Sequence, residues 1–212
     1  VENRINDLVC DRGVDLVVMS SHGRSGIRRW LMGGVATGVL QVVNCPVLII
    51  HPQPDEPVAE PRFKKLLVTL DGSEFSERVL PYAKSSAVFD SEIILLRIPE
   101  VPEAEMYGAV LDEIQELRKI AEAEARDYLE CVASELGKDG IPTQIRVAGS
   151  RPAQTIISVA KEEQVDLIMM ATHGRGGLQR LFVGSVADRV VHRSTQPVFL
   201  VPISERRNNS PY

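Results

Sequence analysis

The chain of 212 residues contains little cysteine, few aromatic residues and no excess of basic charge. Its three cysteines, Cys10, Cys45 and Cys131, show no C-x-x-C or Cys/His ligand spacing, and their odd number does not favour a disulfide framework. A formal net charge of −5 argues against a broad nucleic-acid-binding surface, which requires clustered Lys and Arg. We therefore expect a reducing compartment and no nucleic-acid partner.

Long apolar runs are also lacking, and so is the phosphate-binding motif G-x-x-x-x-G-K-[S/T]. No run approaches the length of a membrane span, and residues 1–13 are too polar for a signal peptide. The remaining composition is that of an ordinary globular protein. These features predict a cytoplasmic protein without a membrane partner.

The most informative stretch of the chain runs from Val165 to Val201. The apolar run 167–170 has the length of a buried strand, and the small, glycine-rich loop 171–177 follows it. Gly184 and Ser185 mark the start of a helix, and Pro197 opens a second apolar run. This order of strand, glycine-rich loop, helix and strand presents backbone N–H groups and a positive helix end to phosphates.

An ungapped repeat of this stretch occupies residues 14–50, with Val14 aligned to Val165. The recurring residues are Val14, Asp15, Leu16, Met19, His22, Gly23, Arg24, Gly26, Arg29, Gly33, Val35, Ala36, Val39, Pro46 and Val47. The repeat predicts two related units. Only the helix-length segment 1–13 precedes the first copy, so we expect the earlier part of the first unit to be absent from this sequence.

The order of predicted elements indicates an α/β fold. Strands are expected at 63–70, 93–98, 142–147 and 167–170, with a fifth after Pro197. Helices are expected from the turn at Ser73 to about Val88, over 107–136, from Pro152, and after Ser185. We divide the chain into residues 1–52 (the C-terminal part of a first unit), a Pro- and acid-rich linker (53–61), a complete unit (62–203) and a flexible tail (204–212). The alternation predicts a mostly parallel, doubly wound, five-stranded sheet.

The spacing G-x-x-G-x9-G-[S/T] resembles the nucleotide-binding signature of the universal stress protein family. Here it reads Ala171-Thr172-His173-Gly174, nine residues, then Gly184-Ser185. Ala171 replaces the first glycine of that pattern, where a positive φ would be strained. The resemblance implies the strand order 3-2-1-4-5, which would place the turn Asp71–Ser73 beside the loop after the fourth strand.

If these two loops meet, Asp71 can accept hydrogen bonds from a base or ribose, and backbone N–H groups can surround phosphate oxygens. The resemblance implies ATP as the ligand, with Mg as a possible companion. His173 and His22 have no second His or Cys at ligand spacing and no catalytic base is evident, so we expect no metal site and no catalytic residue in the chain itself. The site residues it implies are Thr69, Asp71, Ile98, Met170, Ala171, His173, Gly174, Arg175, Gly184, Ser185 and Val186. Each also has a simpler role available, as helix cap, loop glycine or core residue.

Three classes of function are compatible with these features. The first is an adenine-nucleotide-binding module acting in regulation or the stress response. The second is a slow ATP hydrolase or phosphotransferase, and the third is a scaffold that dimerises without nucleotide. The partial unit lacks a counterpart of Asp71, so we expect only the complete unit to bind nucleotide.

The two final apolar strands, 47–50 and 198–201, would each leave a bare sheet edge. The resemblance implies dimerisation through the last strand, so we expect the two units to pair within the chain as a pseudo-dimer. The fourth strand of the partial unit stays uncovered on its other side, which predicts a homo-oligomer.

Overall fold

A computed structural model of the protein describes residues 1–21, 34–51, 63–87, 91–100, 111–172 and 183–202. The strands are β1 (Val17–Ser20), β2 (Val47–Ile50), β3 (Lys65–Thr69), β4 (Glu92–Arg97), β5 (Thr143–Val147), β6 (Leu167–Ala171) and β7 (Val198–Val201). The helices are α1 (Glu2–Arg12), α2 (Gly34–Val42), α3 (Glu74–Glu77), α4 (Leu80–Ser86), α5 (Leu111–Lys138), α6 (Pro152–Glu162) and α7 (Ser185–Arg193).

All these strands form one sheet in the order β1-β2-β7-β6-β3-β4-β5. Neighbouring strands are parallel except β2 and β7, which pair antiparallel, with Val47 beside Leu200 and Ile49 beside Val198. The predicted α/β fold with a mostly parallel sheet is therefore confirmed, and the sheet has seven strands where five were predicted for the complete unit. The two further strands, β1 and β2, come from residues 1–51. β2 pairs with β7 and so covers its apolar edge.

Backbone hydrogen bonds in residues 1–51 recur at the aligned positions of the second stretch. The N–H of Val17 donates to the carbonyl oxygen of Pro46, as Ile168 does to Pro197, both at 3.0 Å. Likewise Ser21 donates to Ile50 as Thr172 does to Val201, both at 2.9 Å. The sequence repeat is thus accompanied by a repeated local structure.

The core forms two clusters, one on each face of the sheet. Alternate strand residues face opposite sides, so that Leu67 and Ile168 join one cluster while Leu66 and Leu167 join the other. Buried residues of α1, α2, α6 and α7 belong to the first cluster, and those of α4 and α5 to the second. Helices on both faces are the arrangement of a doubly wound α/β fold.

Local sequence explains several boundaries of these elements. Gly13 ends α1 in the left-handed region with φ of 61°, and Pro152 stands in the first turn of α6, where its missing N–H costs nothing. The helix predicted from Ser73 to about Val88 is instead broken into α3 and α4. The predicted long helix runs on to Lys138 instead of stopping before Gly137.

Among the described helices, none combines the length and apolarity that a membrane crossing requires.

Candidate functional site

The sheet reverses its winding direction at β3, which lies between β6 and β4. β3 and β6 are parallel and in register, with Leu66 beside Leu167 and Val68 beside Met169. The residues that follow β3 therefore lie next to those that follow β6, at the carboxyl edge of the sheet. In open α/β sheets, this switch point is where ligands bind.

The turn after β3 is built around the carboxylate of Asp71. Its Oδ1 accepts hydrogen bonds from the Ser73 N–H at 2.9 Å and the Ser73 hydroxyl at 2.6 Å. Ser73 is also the N-cap of α3, since its Oγ accepts from the N–H of Ser76 at 3.2 Å. Asp71 is half-buried, and Gly72 adopts a positive φ of 82°. The turn thus holds the Asp71 carboxylate at the carboxyl edge of the sheet, where the winding direction reverses.

The start of α7 is tied to the end of β6. The N–H of Gly184 donates to the carbonyl oxygen of Thr172 at 2.7 Å, which brings the ends of the intervening segment together. Gly184 is the N-cap, and Ser185 is the first helical residue and exposed. The alternative that Ser185 itself caps the helix is therefore wrong. The positive end of α7, with the N–H groups of Ser185 and Val186, lies at the carboxyl edge of the sheet.

The apolar part of the predicted site lies at the strand ends. Thr69 and Met170 are buried on neighbouring strands, and half-buried Ile98 follows β4. Ala171 is buried within β6 and pairs with Val201. Its backbone is not at positive φ, since among the described non-glycine residues only Gln164 is. The strain expected at Ala171 is therefore absent.

Three predicted site residues, His173, Gly174 and Arg175, lie outside the described residues. The other eight fall on β3, β6 or α7, at the N-cap of α7, or within two residues after β3 and β4. The structure thus brings Asp71, Met170 and Gly184 to one edge of the sheet.

A polar cluster beside the Asp71 turn was missed by the sequence reasoning. Tyr128 of α5 donates its hydroxyl to Glu77 of α3 at 2.8 Å, and the Arg97 guanidinium lies 4.7 Å from the centre of the Tyr128 ring. Burial, followed by the hydrogen bond and charge of Glu77, raises the pKa of Tyr128. Tyr128 occupies the buried stripe of a predicted amphipathic helix, so no local signal separates it from a core residue.

The chain was compared with known protein families and structures. The family model described as Universal stress protein family matches residues 1–51 and 62–202. A universal stress protein of Mycobacterium tuberculosis is 28% identical over 188 residues, covering 88% of this chain and 61% of that protein. The chain thus spans about three fifths of that relative. Universal stress protein YxiE of Bacillus subtilis is 31% identical over 146 residues, covering 66% of this chain and 99% of YxiE.

Solved structures give the same result for the fold. The structure of the hypothetical protein MJ0577, a universal stress protein of Methanocaldococcus jannaschii, is 28% identical, with a TM-score of 0.61. It aligns with 68% of this chain and 99% of its own. A universal stress protein from Archaeoglobus fulgidus covers 93% of this chain and 64% of its own at 23% identity, with a TM-score of 0.62. The latter likeness concerns the fold alone.

Proposed function

Since this chain belongs to the universal stress protein family, we propose that it is an adenine-nucleotide-binding module of regulation or the stress response, with ATP as its ligand. One observation carries the proposal. The hydrogen bond from Gly184 to Thr172 brings the start of α7 to the sheet edge at which the Asp71 turn follows β3. This supports a site in which a hydrogen-bond acceptor and a positive helix end act together at one switch point.

The residues at this point suit the parts of an adenine nucleotide. Asp71 would accept hydrogen bonds from the base or ribose, while Thr69, Ile98, Met170 and Ala171 would line the adenosine. The N–H groups of Ser185 and Val186, with the Ser185 hydroxyl, would donate to phosphate oxygens. Gly184 has no side chain to obstruct the helix end. His173, Gly174 and Arg175 of the signature would complete the phosphate contacts.

The strength of such a site can be estimated from its donors. Each charge-assisted hydrogen bond contributes roughly 1.5–3 kcal/mol, so a few of them, with adenosine burial, suffice for micromolar binding after ordering costs. Mg²⁺ would be bound through the phosphate oxygens of the nucleotide.

The proposal extends to the organisation of the chain. Residues 1–52 would be the C-terminal part of one universal-stress unit, 53–61 a linker, 62–203 a complete unit and 204–212 a tail. The repeated backbone hydrogen bonds and the two matched segments support this division. The pairing of β2 with β7 supports an intrachain pseudo-dimer. Association between chains is supported by β1, which among the described strands pairs only with β2.

Isothermal titration with ATP tests the nucleotide proposal. We expect micromolar binding with one nucleotide per chain, because only the complete unit has the Asp71 turn. The double variant D71A/S185A is the negative control and should bind far more weakly. A stoichiometry of two would refute the assignment to the complete unit alone, and absence of binding would favour the nucleotide-free scaffold.

A further inference from the structure

Tyr128 of α5 contacts residues from both segments that end at the switch point. Its hydroxyl donates to Glu77 at 2.8 Å, and Glu77 is the last residue of α3, the helix that follows β3. The guanidinium of Arg97, the last residue of β4, lies 4.7 Å from the centre of the Tyr128 ring, within the range of a cation–π attraction. A single side chain therefore connects the segment after β3 with the end of β4.

The Glu77 end of this connection leads to Asp71 through a series of hydrogen bonds. The Glu77 N–H donates to the carbonyl oxygen of Ser73 at 3.2 Å, and the Ser76 hydroxyl donates to the same oxygen at 2.8 Å. Ser73 in turn donates its N–H and its hydroxyl to Asp71 Oδ1. Because α3 has only four residues, its orientation depends on the contacts at its ends. A displacement of Glu77 would therefore reach the Asp71 carboxylate.

The Arg97 end of the connection is held by the sheet. The Arg97 carbonyl oxygen accepts a hydrogen bond from the N–H of Ala148 at 3.3 Å, and the carbonyl oxygen of the residue before Arg97 accepts one from Leu70 at 2.9 Å. The end of β4 is thus bonded to the segments that follow both of its neighbours, β5 and β3. Tyr128 therefore has Arg97 as a fixed neighbour, and Glu77 is the neighbour whose position it can determine.

Tyr128 and the side chains assigned to the adenosine lie on opposite faces of the sheet. Ile98 packs against the first core cluster, to which Met170 belongs, whereas Tyr128 packs against the second. A nucleotide beside Ile98 and Met170 would therefore not contact Tyr128, which can affect it only through other residues. Burial and the Glu77 carboxylate raise the pKa of Tyr128, so the hydroxyl keeps the proton that it donates.

We propose that Tyr128 is a positioning residue for the nucleoside half of the ligand. Its hydroxyl holds Glu77 and, through α3, keeps the Asp71 carboxylate in place opposite Ile98. This inference rests on the proposed function, which assigns Asp71 and Ile98 to the base and ribose. The phosphates, assigned to the start of α7, do not depend on Tyr128. Loss of the hydroxyl should therefore weaken the binding of ATP and of adenosine by the same factor.

Isothermal titration of the full chain with ATP and with adenosine tests this expectation. In Tyr128→Phe, the Kd of both ligands should rise about tenfold, because the Glu77 carboxylate can turn to solvent. Ser185→Ala should weaken only the binding of ATP. Tyr82→Phe is the matched control, since Tyr82 is also half-buried on this face, where it packs on Phe199, and both Kd values should stay unchanged. Unchanged affinities in Tyr128→Phe, or a loss confined to ATP, would overturn the inference.

Variants of Glu77 separate the hydrogen bond from a general loss of stability. Glu77→Gln keeps a side-chain oxygen that can accept from Tyr128, so both Kd values should stay within about twofold of those of the native chain. Glu77→Leu has no such oxygen and should reproduce the loss in Tyr128→Phe. Equal losses in the Gln and Leu variants would show that the hydrogen bond is not the cause.

The NMR resonance of the Ser73 amide reports on the turn in the absence of any ligand, because this N–H donates to Asp71. We expect the resonance to move in Tyr128→Phe, where the ring is kept and only the hydroxyl is lost, and to stay in place in Glu77→Gln and Tyr82→Phe. If the native chain binds neither ATP nor adenosine, the proposed function fails, and the Ser73 resonance alone decides whether Tyr128 positions the turn. An unmoved resonance in Tyr128→Phe overturns the inference whatever the ligand.

Discussion

At the scale of single residues, Ser185 combines exposure with a place in the first turn of α7. Its hydroxyl takes no part in capping, since Gly184 is the N-cap. We therefore expect Ser185→Ala to weaken ATP binding by about 1–2 kcal/mol, the contribution of one polar contact, with unchanged thermal stability. Titration calorimetry measures the affinity, with Ser150→Ala as the control because Ser150 is exposed before α6. Unchanged affinity would remove Ser185 from the site.

Tyr128 provides a second test at this scale. The pKa of its phenol is raised by burial and by Glu77, so the folded chain favours the protonated form more than the unfolded chain does. Its contribution to stability is therefore present below the ordinary tyrosine pKa of about 10 and is lost as the pH rises through the raised value. We expect one of the four tyrosines to ionise last in a spectrophotometric titration, and Tyr128→Phe to remove that step. A titration unaltered by the substitution would contradict the assignment.

At the scale of elements, the turn between β3 and α3 depends on Ser73 for both its cap and the position of Asp71. Ser73→Ala should lower the free energy of unfolding by about 1 kcal/mol, as expected for a lost N-cap, and should also weaken ATP binding. Denaturant unfolding and calorimetry measure the two effects. Ser85→Ala is the control, because the exposed Ser85 hydroxyl donates within α4, to the carbonyl oxygen of Pro81. Intact affinity in the Ser73 variant would show that Asp71 needs no such support.

The sequence pattern predicted the helices and strands better than it predicted the helix break and the contacts between elements. The apolar runs of β2, β4 and β7 are long enough to identify buried strands. Gly184 followed by Ser185 indicated the start of α7. The break at Arg78 and Val79 was missed because Pro81, which stands in the first turn of α4, was not interpreted as the start of a new helix. Tyr128 was missed because its partner Glu77 is distant in sequence. The pairing of β2 with β7 was expected from their bare edges, but the single continuous sheet that results was not.

At the scale of the whole molecule, the two copies share a core cluster as well as a sheet. Ile49 of β2 and Val198 of β7 are fully buried in the same cluster. We expect one cooperative transition in denaturant, with tyrosine absorbance, which reports on Tyr82 and Tyr128, and far-ultraviolet circular dichroism giving coincident curves. Ile49→Ala should destabilise the chain by about 2–5 kcal/mol in both signals. Separate transitions would show that the copies unfold independently.

The antiparallel pairing of β2 with β7 also gives the molecule two opposite poles. The carboxyl ends of β3 and β6 point to one pole, and those of β1 and β2 point to the other, where His51 Nδ1 lies 3.0 Å from the Ser21 hydroxyl. A nucleotide beside Asp71 would therefore lie at the opposite end of the sheet from the Ser21–His51 contact, and no side chain could contact both.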